Sequence, residues 1–445
     1  MPAACPNVRS PCRPLRSKGC WIKGATAARR AALEILRAVR AGATLNDARD
    51  RHLAALAERD RRLAYELSAG VLRRQTELDD ALHLARVDPR LHDVLRLGAY
   101  QLRALNRVPA HAAVSTSVEL ARETTGEAAA RYVNQALRRI AGAGFRVSGV
   151  GGSHPEWLVR RWRSCFGVQD ADRLIAWNDS RAPLTLQPAR WNEQMLRQAL
   201  EAAGIEVADA PFATGLRLND PTPGTRHPKP RDLPGFTEGG FLVQDPAHAL
   251  VCRFAAIPAG ARVYDACAAP GGKAVTLERL GARVVAGDAR RDRLARLADT
   301  TRRAGVAIRV LGADLLAAPF AASAWDAVLV DAPCTATGTM ARHPDARWRV
   351  TARAIARAAV RQRALLEAAA RLVRPGGLLI YATCSLEPEE NTDVVSAFLT
   401  DHAEFTRATA AAVAPELLSP AGDFQSLPQR HGMDGAYAAR LVRKP

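Results

Sequence analysis

The chain of 445 residues contains no run of 18 or more apolar residues, which excludes an evident membrane-spanning helix. Its eight cysteines, at positions 5, 12, 20, 165, 252, 267, 334 and 384, include no CxxC pair and no Cys/His cluster at zinc spacing. That excludes the common structural metal sites, so no metal is expected. Thiols scattered through so long a chain suit a reducing, cytoplasmic compartment. Residues 1–22 lack the continuous apolar core of a secretory signal; they carry Arg9, Arg13, Arg16 and Lys18 without an acid, and read as a disordered basic tail. Acidic residues are scarce throughout, 45 against 63 basic, for a net charge of +18. The imbalance is concentrated: residues 1–150 hold 26 basic and 14 acidic side chains. An excess of this size points to a polyanion, nucleic acid before an acidic membrane surface.

Residues 23–145 show helical periodicity and no period-two alternation. Leu33, Leu36 and Val39 recur at three-residue steps, Val94, Leu95 and Leu102 extend a second stripe, and Ala130, Val133, Leu137 and Ile140 form a third. An all-α domain is expected. Arginine pairs between the stripes (Arg29-Arg30, Arg61-Arg62, Arg73-Arg74, Arg138-Arg139) make a nucleic-acid-binding surface the reading of its charge. The glycine-rich stretch from Gly142 to Ser153 reads as a linker. Residues 150–230 place Trp157, Trp162, Trp177 and Trp191 among Arg160, Arg161, Arg163 and Arg190, a mixture suited either to a core or to stacking RNA bases and gripping phosphates. A small linking, RNA-contacting subdomain is expected there. Five prolines between Asn219 and Pro234 mark a loop into the last domain.

Residues 235–445 alternate short apolar segments with helical ones: strands at Val263-Tyr264, Arg283–Gly287, Ile308–Leu311, Trp325–Val330 and Leu378–Tyr381, helices at Arg290–Arg303 and Thr351–Val373. This is the pattern of a doubly wound, mostly parallel α/β sheet, whose ligands bind at the carboxyl ends of the strands. At those ends stand Asp265, Asp288, Asp314, Asp331-Ala332-Pro333-Cys334 and Ala382-Thr383-Cys384-Ser385. The first strand runs into Asp265-Ala-Cys-Ala-Ala-Pro-Gly-Gly-Lys273, a turn of small residues that lets backbone amides approach a ligand. It matches neither GxGxxG nor GxxxxGK[ST], so a diphosphate grip is not indicated. Asp288, about twenty residues on, is placed for ribose hydroxyls. By exclusion, S-adenosylmethionine fits better than a dinucleotide. Two strand-end cysteines above such a site suit methylation of a pyrimidine at C5, a carbon that becomes nucleophilic only after a thiolate has added to C6.

DACAAPGGK, DAPCTATG and YATCS, with GFLVQD (Gly240–Asp245), HGMDGAY (His431–Tyr437) and the Arg190/Asn192 pair, closely resemble the bacterial 16S ribosomal RNA cytosine-C5 methyltransferases of the Fmu/Sun type, members of the wider NOL1/NOP2/Sun family. The segments DRRLAYELSAGVLRR (Asp60–Arg74), LRLGAYQL (Leu95–Leu102), VPAHAAV (Val108–Val114) and YVNQALRR (Tyr132–Arg139) resemble the NusB-like RNA-binding domain of that subgroup. The resemblance spans residues 24–445. It implies a Rossmann-like, S-adenosylmethionine-dependent methyltransferase domain preceded by an all-α NusB-like domain, acting on 16S rRNA as naked RNA or an early assembly intermediate. A monomer with no membrane partner is expected. The resemblance further implies Cys384 as the nucleophile on C6, Cys334 as the base or release cysteine, and Asp331 at the cytosine or the cofactor's methionine end. Cys267, Ala268, Ala269, Pro270, Gly271, Gly272 and Lys273 would wrap the methionine moiety, Asp288 would hold the ribose and Asp314 the adenine. This chain departs from the pattern at Ala274, Thr335-Ala336 and His248. Another RNA substrate (tRNA or 23S rRNA), a DNA-type enzyme with Cys334 as nucleophile, and a non-catalytic RNA-binding assembly factor are the competing readings.

Overall fold

A computed structural model describes residues 18–105, 108–142, 154–219, 229–409 and 412–445, which fall into two compact units divided after Ser153. In the first, the described residues form helices α1 (Lys18–Arg40), α2 (Leu45–Leu53), α3 (Glu58–Arg73), α4 (Gln75–Leu82), α5 (His92–Ala104), α6 (Ala110–Thr125) and α7 (Glu127–Gly142), with no strand. The stripes read from spacing are the core: Leu33, Leu36, Val39, Val94, Leu95, Ala130, Val133 and Leu137 are all buried. Gly70 in α3 lets Tyr100 of α5 lie against the helix backbone, since a Cβ there would stand 1.9 Å from the ring. The Tyr100 hydroxyl donates to Glu66 at 2.9 Å.

Two expectations are corrected here. α1 begins at Lys18, inside the expected tail; residues 1–17 of that tail and 143–153 of the linker lie outside the described residues. The arginine pairs are not uniformly a surface. Arg29 is interior and donates to Gln101 at 2.7 Å, whereas Arg30 reaches Glu123 at the surface.

The second unit opens with α8 (Glu156–Phe166), α9 (Val168–Asp179), β1 (Thr185–Pro188), α10 (Glu193–Ala202), β2 (Val207–Asp209), β3 (Leu216–Leu218) and β4 (Phe241–Val243). The strands form an antiparallel sheet in the order β2-β3-β1-β4. Each strand has only three or four residues, too few for alternation to show in the sequence. Because β4 belongs to this sheet, the expected boundary at 230–235 cuts through it. Three of the four tryptophans, Trp157, Trp162 and Trp191, serve packing. Trp162 is 1% exposed and donates its indole N–H to Glu387 at 3.3 Å, Trp157 packs on the same cluster, and Trp191 lies against Gly235 and Gly240. All four arginines among them are also engaged: Arg160 pairs with Glu156, Arg161 with Glu387 and Glu389, Arg163 with Asp172, and Arg190 donates to the carbonyls of Arg303 and Arg302. Stacking RNA on this segment is therefore not what Trp162 and Trp191 do.

The remainder comprises α11 (Pro246–Ala255), β5 (Arg262–Asp265), α12 (Gly272–Arg279), β6 (Arg283–Asp288), α13 (Arg291–Ala304), β7 (Arg309–Gly312), β8 (Trp325–Asp331), α14 (Ala346–Arg349), α15 (Ala352–Ala370), β9 (Val373–Thr383), α16 (Thr392–Asp401), β10 (Phe405–Arg407), β11 (Phe424–Ser426), α17 (Pro428–His431) and β12 (Ala436–Arg443). The sheet runs β10-β12-β9-β8-β5-β6-β7, with β11 on β12. Its five strands from β9 to β7 are parallel, and β12, β10 and β11 add antiparallel. Successive residues serve opposite faces: Val263, Leu329 and Ile380 enter one core, Tyr264, Val328, Val330 and Tyr381 the other. A sheet buried on both faces reads as continuous apolar runs, which is how the sequence shows it. Arg374–Gly377 form a bulge within β9, where Trp325 pairs with Val373 but Ala327 with Leu378, so the strand begins before Leu378. Among the described residues no helix is long and apolar enough to cross a membrane.

Candidate active site

β5 is the middle of the five parallel strands, and its neighbours β6 and β8 end beside it, so the strand-end residues converge. Asp265 closes β5, fully buried, and neither carboxylate oxygen makes a full hydrogen bond among the described residues. Burial first, and the neighbouring Asp331 second, push its pKa up to about 8, against the help of Lys273 and the Cys267 amide. The chain then turns through Cys267, Ala268, Ala269 and Pro270, with a cis bond before Pro270, and enters α12 at Gly272. Gly271 holds φ +107°, and a Cβ on it would approach Leu297 Cδ1 to 2.8 Å, so only glycine lets α13 pack this close. Burial raises the Cys267 thiol well above its ordinary range. Asp288, at the end of β6, accepts the Ala269 amide at 3.2 Å and the Arg290 amide at 2.8 Å, so it shapes the loop. Asp314, beyond β7, is exposed and accepts the Leu316 amide at 3.1 Å.

Lys273 reaches back from the first turn of α12 to the end of β8, its ammonium 2.6 Å from Asp331 Oδ2 and 2.8 Å from His248 Nδ1. Burial alone would lower the Lys273 pKa, but the ion pair with Asp331 leaves it raised. Burial and the Lys273 charge hold the His248 imidazole neutral, so its ring nitrogen accepts from Lys273. His248, a departure at sequence level, thus completes the ammonium's environment.

Cys334 follows β8 and Cys384 follows β9, adjacent parallel strands. Their sulfurs lie 3.2 Å apart and both side chains are half-buried, within reach of solvent. The hydrogen bond to Cys384, then burial, drive the Cys334 pKa well above the thiol range.

Both cysteine loops are tied to a residue the sequence does not single out. Glu390, fully buried, accepts the Thr335 amide at 2.9 Å, the Ser385 hydroxyl at 2.7 Å and Gln362 Nε2 at 2.8 Å, and also takes the Thr335 hydroxyl. The residues after each cysteine therefore share one carboxylate. The Leu386 amide donates to the Thr337 hydroxyl oxygen at 2.8 Å, and Gly338 N–H donates to the Cys384 carbonyl at 3.0 Å. Glu390 sits in an acidic PEE turn before α16, which alone reads as an ordinary helix start. Further out, Arg342 bridges Asp245 (2.6 Å) and Asp434 (2.8 Å), joining the GFLVQD and HGMDG segments behind the site. Asn192 caps α10 through the Met195 amide and does not meet the cysteines.

Comparison with known proteins agrees with this architecture. Residues 256–442 match the family model for 16S rRNA methyltransferase RsmB/F, residues 26–142 the NusB family, and residues 154–225 a ferredoxin-like domain of RsmF/B-like methyltransferases. A probable ribosomal RNA small subunit methyltransferase B from Synechocystis is 34% identical over 417 residues, covering 86% of this chain and 91% of that protein. The ribosomal RNA small subunit methyltransferase B of Pseudomonas syringae is 33% identical, covering 93% and 96%. The crystal structure of PH0851 superposes with a TM-score of 0.75 at 25% identity, over 94% of this chain and 98% of that one. NSun6 from Pyrococcus horikoshii shares the fold over 65% of this chain and 98% of its own, with a TM-score of 0.57 at 19% identity. With relatives this similar over nearly their whole length, the chain belongs to the RsmB/F family of 16S rRNA methyltransferases, with a NusB domain ahead of the catalytic fold.

Proposed function

We propose that this protein methylates C5 of a cytosine in 16S rRNA, using S-adenosylmethionine and a transient bond between Cys384 and C6 of the base. Methyl transfer to a nitrogen or oxygen needs no thiol, whereas C5 needs a nucleophile at C6 first. The observation that carries the reading is the pair of sulfurs 3.2 Å apart at adjacent strand ends, beside the small-residue loop.

The residues present fit the cofactor. The loop from Cys267 to Lys273 is built of small residues up to Lys273, and the buried Asp265 carboxylate, both oxygens without a full hydrogen bond among the described residues, offers a site for an ammonium such as that of a methionine moiety. Asp288 and Asp314 stand at successive strand ends for the ribose and adenine. When bound, S-adenosylmethionine supplies an electrophilic methyl group.

The chain's own residues do the rest. Cys384, as thiolate, adds to C6 and moves electron density to C5. Cys334, held protonated beside it, donates to the Cys384 sulfur and keeps it aimed. Asp331, fixed by Lys273, faces the polar edge of the cytosine. Once Cys384 is bonded to C6 and no longer an anion beside it, Cys334 passes its proton to solvent; after methyl transfer the Cys334 thiolate takes the proton from C5, the C5–H electrons re-form the C5–C6 double bond, and the C6–S bond breaks with Cys384 departing as thiolate. The target base must leave its stack to reach the site, which costs a few kcal/mol unless it is already unpaired.

Trapping tests the assignment. Cys334→Ala protein incubated with S-adenosylmethionine and unmodified 16S RNA should give a covalent protein–RNA band on a denaturing gel, because release is blocked. A band from Cys384→Ala instead would exchange the two roles. No band from either would remove the covalent mechanism.

A further inference from the structure

α15 follows the Cys334 loop and docks on it through Gln362, whose amide donates to the Pro333 carbonyl at 3.0 Å and to Glu390 at 2.8 Å. Ile355, Gln362, Leu366 and Ala369 face the protein. On the opposite side Arg353, Arg357 and Arg361 recur every four residues, all exposed, and none makes a hydrogen bond or ion pair among the described residues. Between them Val360 is 74% exposed.

This stripe is unfavourable for the helix that carries it. Like charges at i, i+4 repel. Cations near a helix N-terminus oppose the macrodipole, and the first turn of α15 has no acid to offset Arg353. The arginines of this unit that stand among the tryptophans are committed to Glu156, Glu387, Glu389, Asp172 or backbone carbonyls. A sequence that breaks local rules at one exposed face does so most often where the face has work to do. Successive arginines step about 6 Å along the axis, comparable to neighbouring phosphates of a single strand. The last of them, Arg361, adjoins the residue that holds the Cys334 loop, and its charge bears on the Cys267 thiol.

We propose that Arg353, Arg357 and Arg361 form a track for the phosphates of the single-stranded RNA segment flanking the target base, with Arg361 nearest the reacting cysteines. The proposal rests on the reading of the protein as an RNA methyltransferase and adds the surface along which its substrate runs. Arginine suits the task because its guanidinium pairs with phosphate oxygens in a fork. Val360 leaves an apolar patch between the charges for a base to lie on.

The test is a triple variant of the full chain, Arg353→Gln, Arg357→Gln and Arg361→Gln, with the corresponding lysine triple beside it. Binding of in vitro-transcribed 16S RNA is measured against salt. Each phosphate contact to a single strand contributes about 0.7 to the slope of log K against log salt, so the glutamine triple should lower that slope by about 2 and weaken binding at least tenfold at physiological salt. The lysine triple should keep most of the slope. The melting temperature of the glutamine triple should stay level or rise, since repulsion is removed, which separates a lost contact from a damaged fold. Wild-type slope and affinity in the glutamine triple would overturn the track while leaving the methyltransferase reading intact. If the unaltered protein neither binds this RNA nor forms the Cys334→Ala adduct with it, the substrate reading falls and the track with it.

Discussion

Cys334 Sγ faces Cys384 Sγ at 3.2 Å, and this contact is the largest cause of the raised Cys334 pKa. Removing Cys384 should therefore bring the Cys334 pKa down, leaving only the part due to burial and nearby acids. In Cys384→Ala protein, alkylation of Cys334 by iodoacetamide, followed by peptide mass spectrometry, should rise at lower pH than in the unaltered chain. An unchanged pH profile would mean that the two thiols do not share a proton.

Glu390 gathers four donors from Thr335, Ser385 and Gln362. Glu390→Gln presents an amide to donors that need an acceptor and leaves at least one buried group unmatched. A loss of about 1.5–3 kcal/mol of stability is expected for a hydrogen-bonded charged group in such a place. Because the loops after both cysteines lose a common anchor, kcat should fall further than cofactor affinity does. Urea unfolding and single-turnover methylation, with cofactor binding measured separately, check both parts.

The contrast between these two sites shows what the sequence exposes. Strands β5, β6 and β8 are legible because burial on both faces makes them unbroken apolar runs, and the residues that end them mark the site by position. β1–β4 are not, because three or four residues carry no period. Cys334, Cys384 and the glycine loop declare their chemistry by type. Glu390 and His248 do not: an acid before a helix or a histidine on one is ordinary until the fold brings a threonine, a serine or an ammonium against it. The tryptophans of 157–191 are equally consistent with core and with base stacking, and packing against Glu387 for Trp162 and against Gly235 and Gly240 for Trp191 decides for the core at those two.

Asp265 gives a pH dependence with a definite sign. Its folded pKa, about 8, lies above the ordinary carboxylate value, so the folded state binds the extra proton. The associated stability is present at low pH and is lost as pH rises from about 4 toward 8. Asp434, raised to about 7 by burial and by Asp245, acts in the same sense. The ligand-free protein should therefore lose thermal stability between pH 5.5 and 8, and Asp265→Asn should flatten that decline and be more stable than the unaltered chain at pH 8. A scanning-calorimetry series across that range is decisive: a parallel decline in the variant would assign the pH dependence elsewhere.

Two glycines with similar backbone angles separate fold from function at the loop. Gly271 holds φ +107° and Gly281 φ +98°. Alanine at either adopts a left-handed conformation at a cost of about 1–2 kcal/mol. At Gly281 the new Cβ would meet only Ala259, 3.2 Å away, at the far end of α12. At Gly271 it would press to 2.8 Å against the fully buried Leu297, so the loop or α13 must shift where the cofactor is proposed to lie. Gly281→Ala should thus lower the melting temperature by a few degrees with S-adenosylmethionine affinity retained. Gly271→Ala should lose stability of the same order or more and weaken that affinity at least tenfold, as read by titration calorimetry. Equal affinities in the two variants would place the cofactor away from Gly271, because the shared backbone cost is then the only effect of either change.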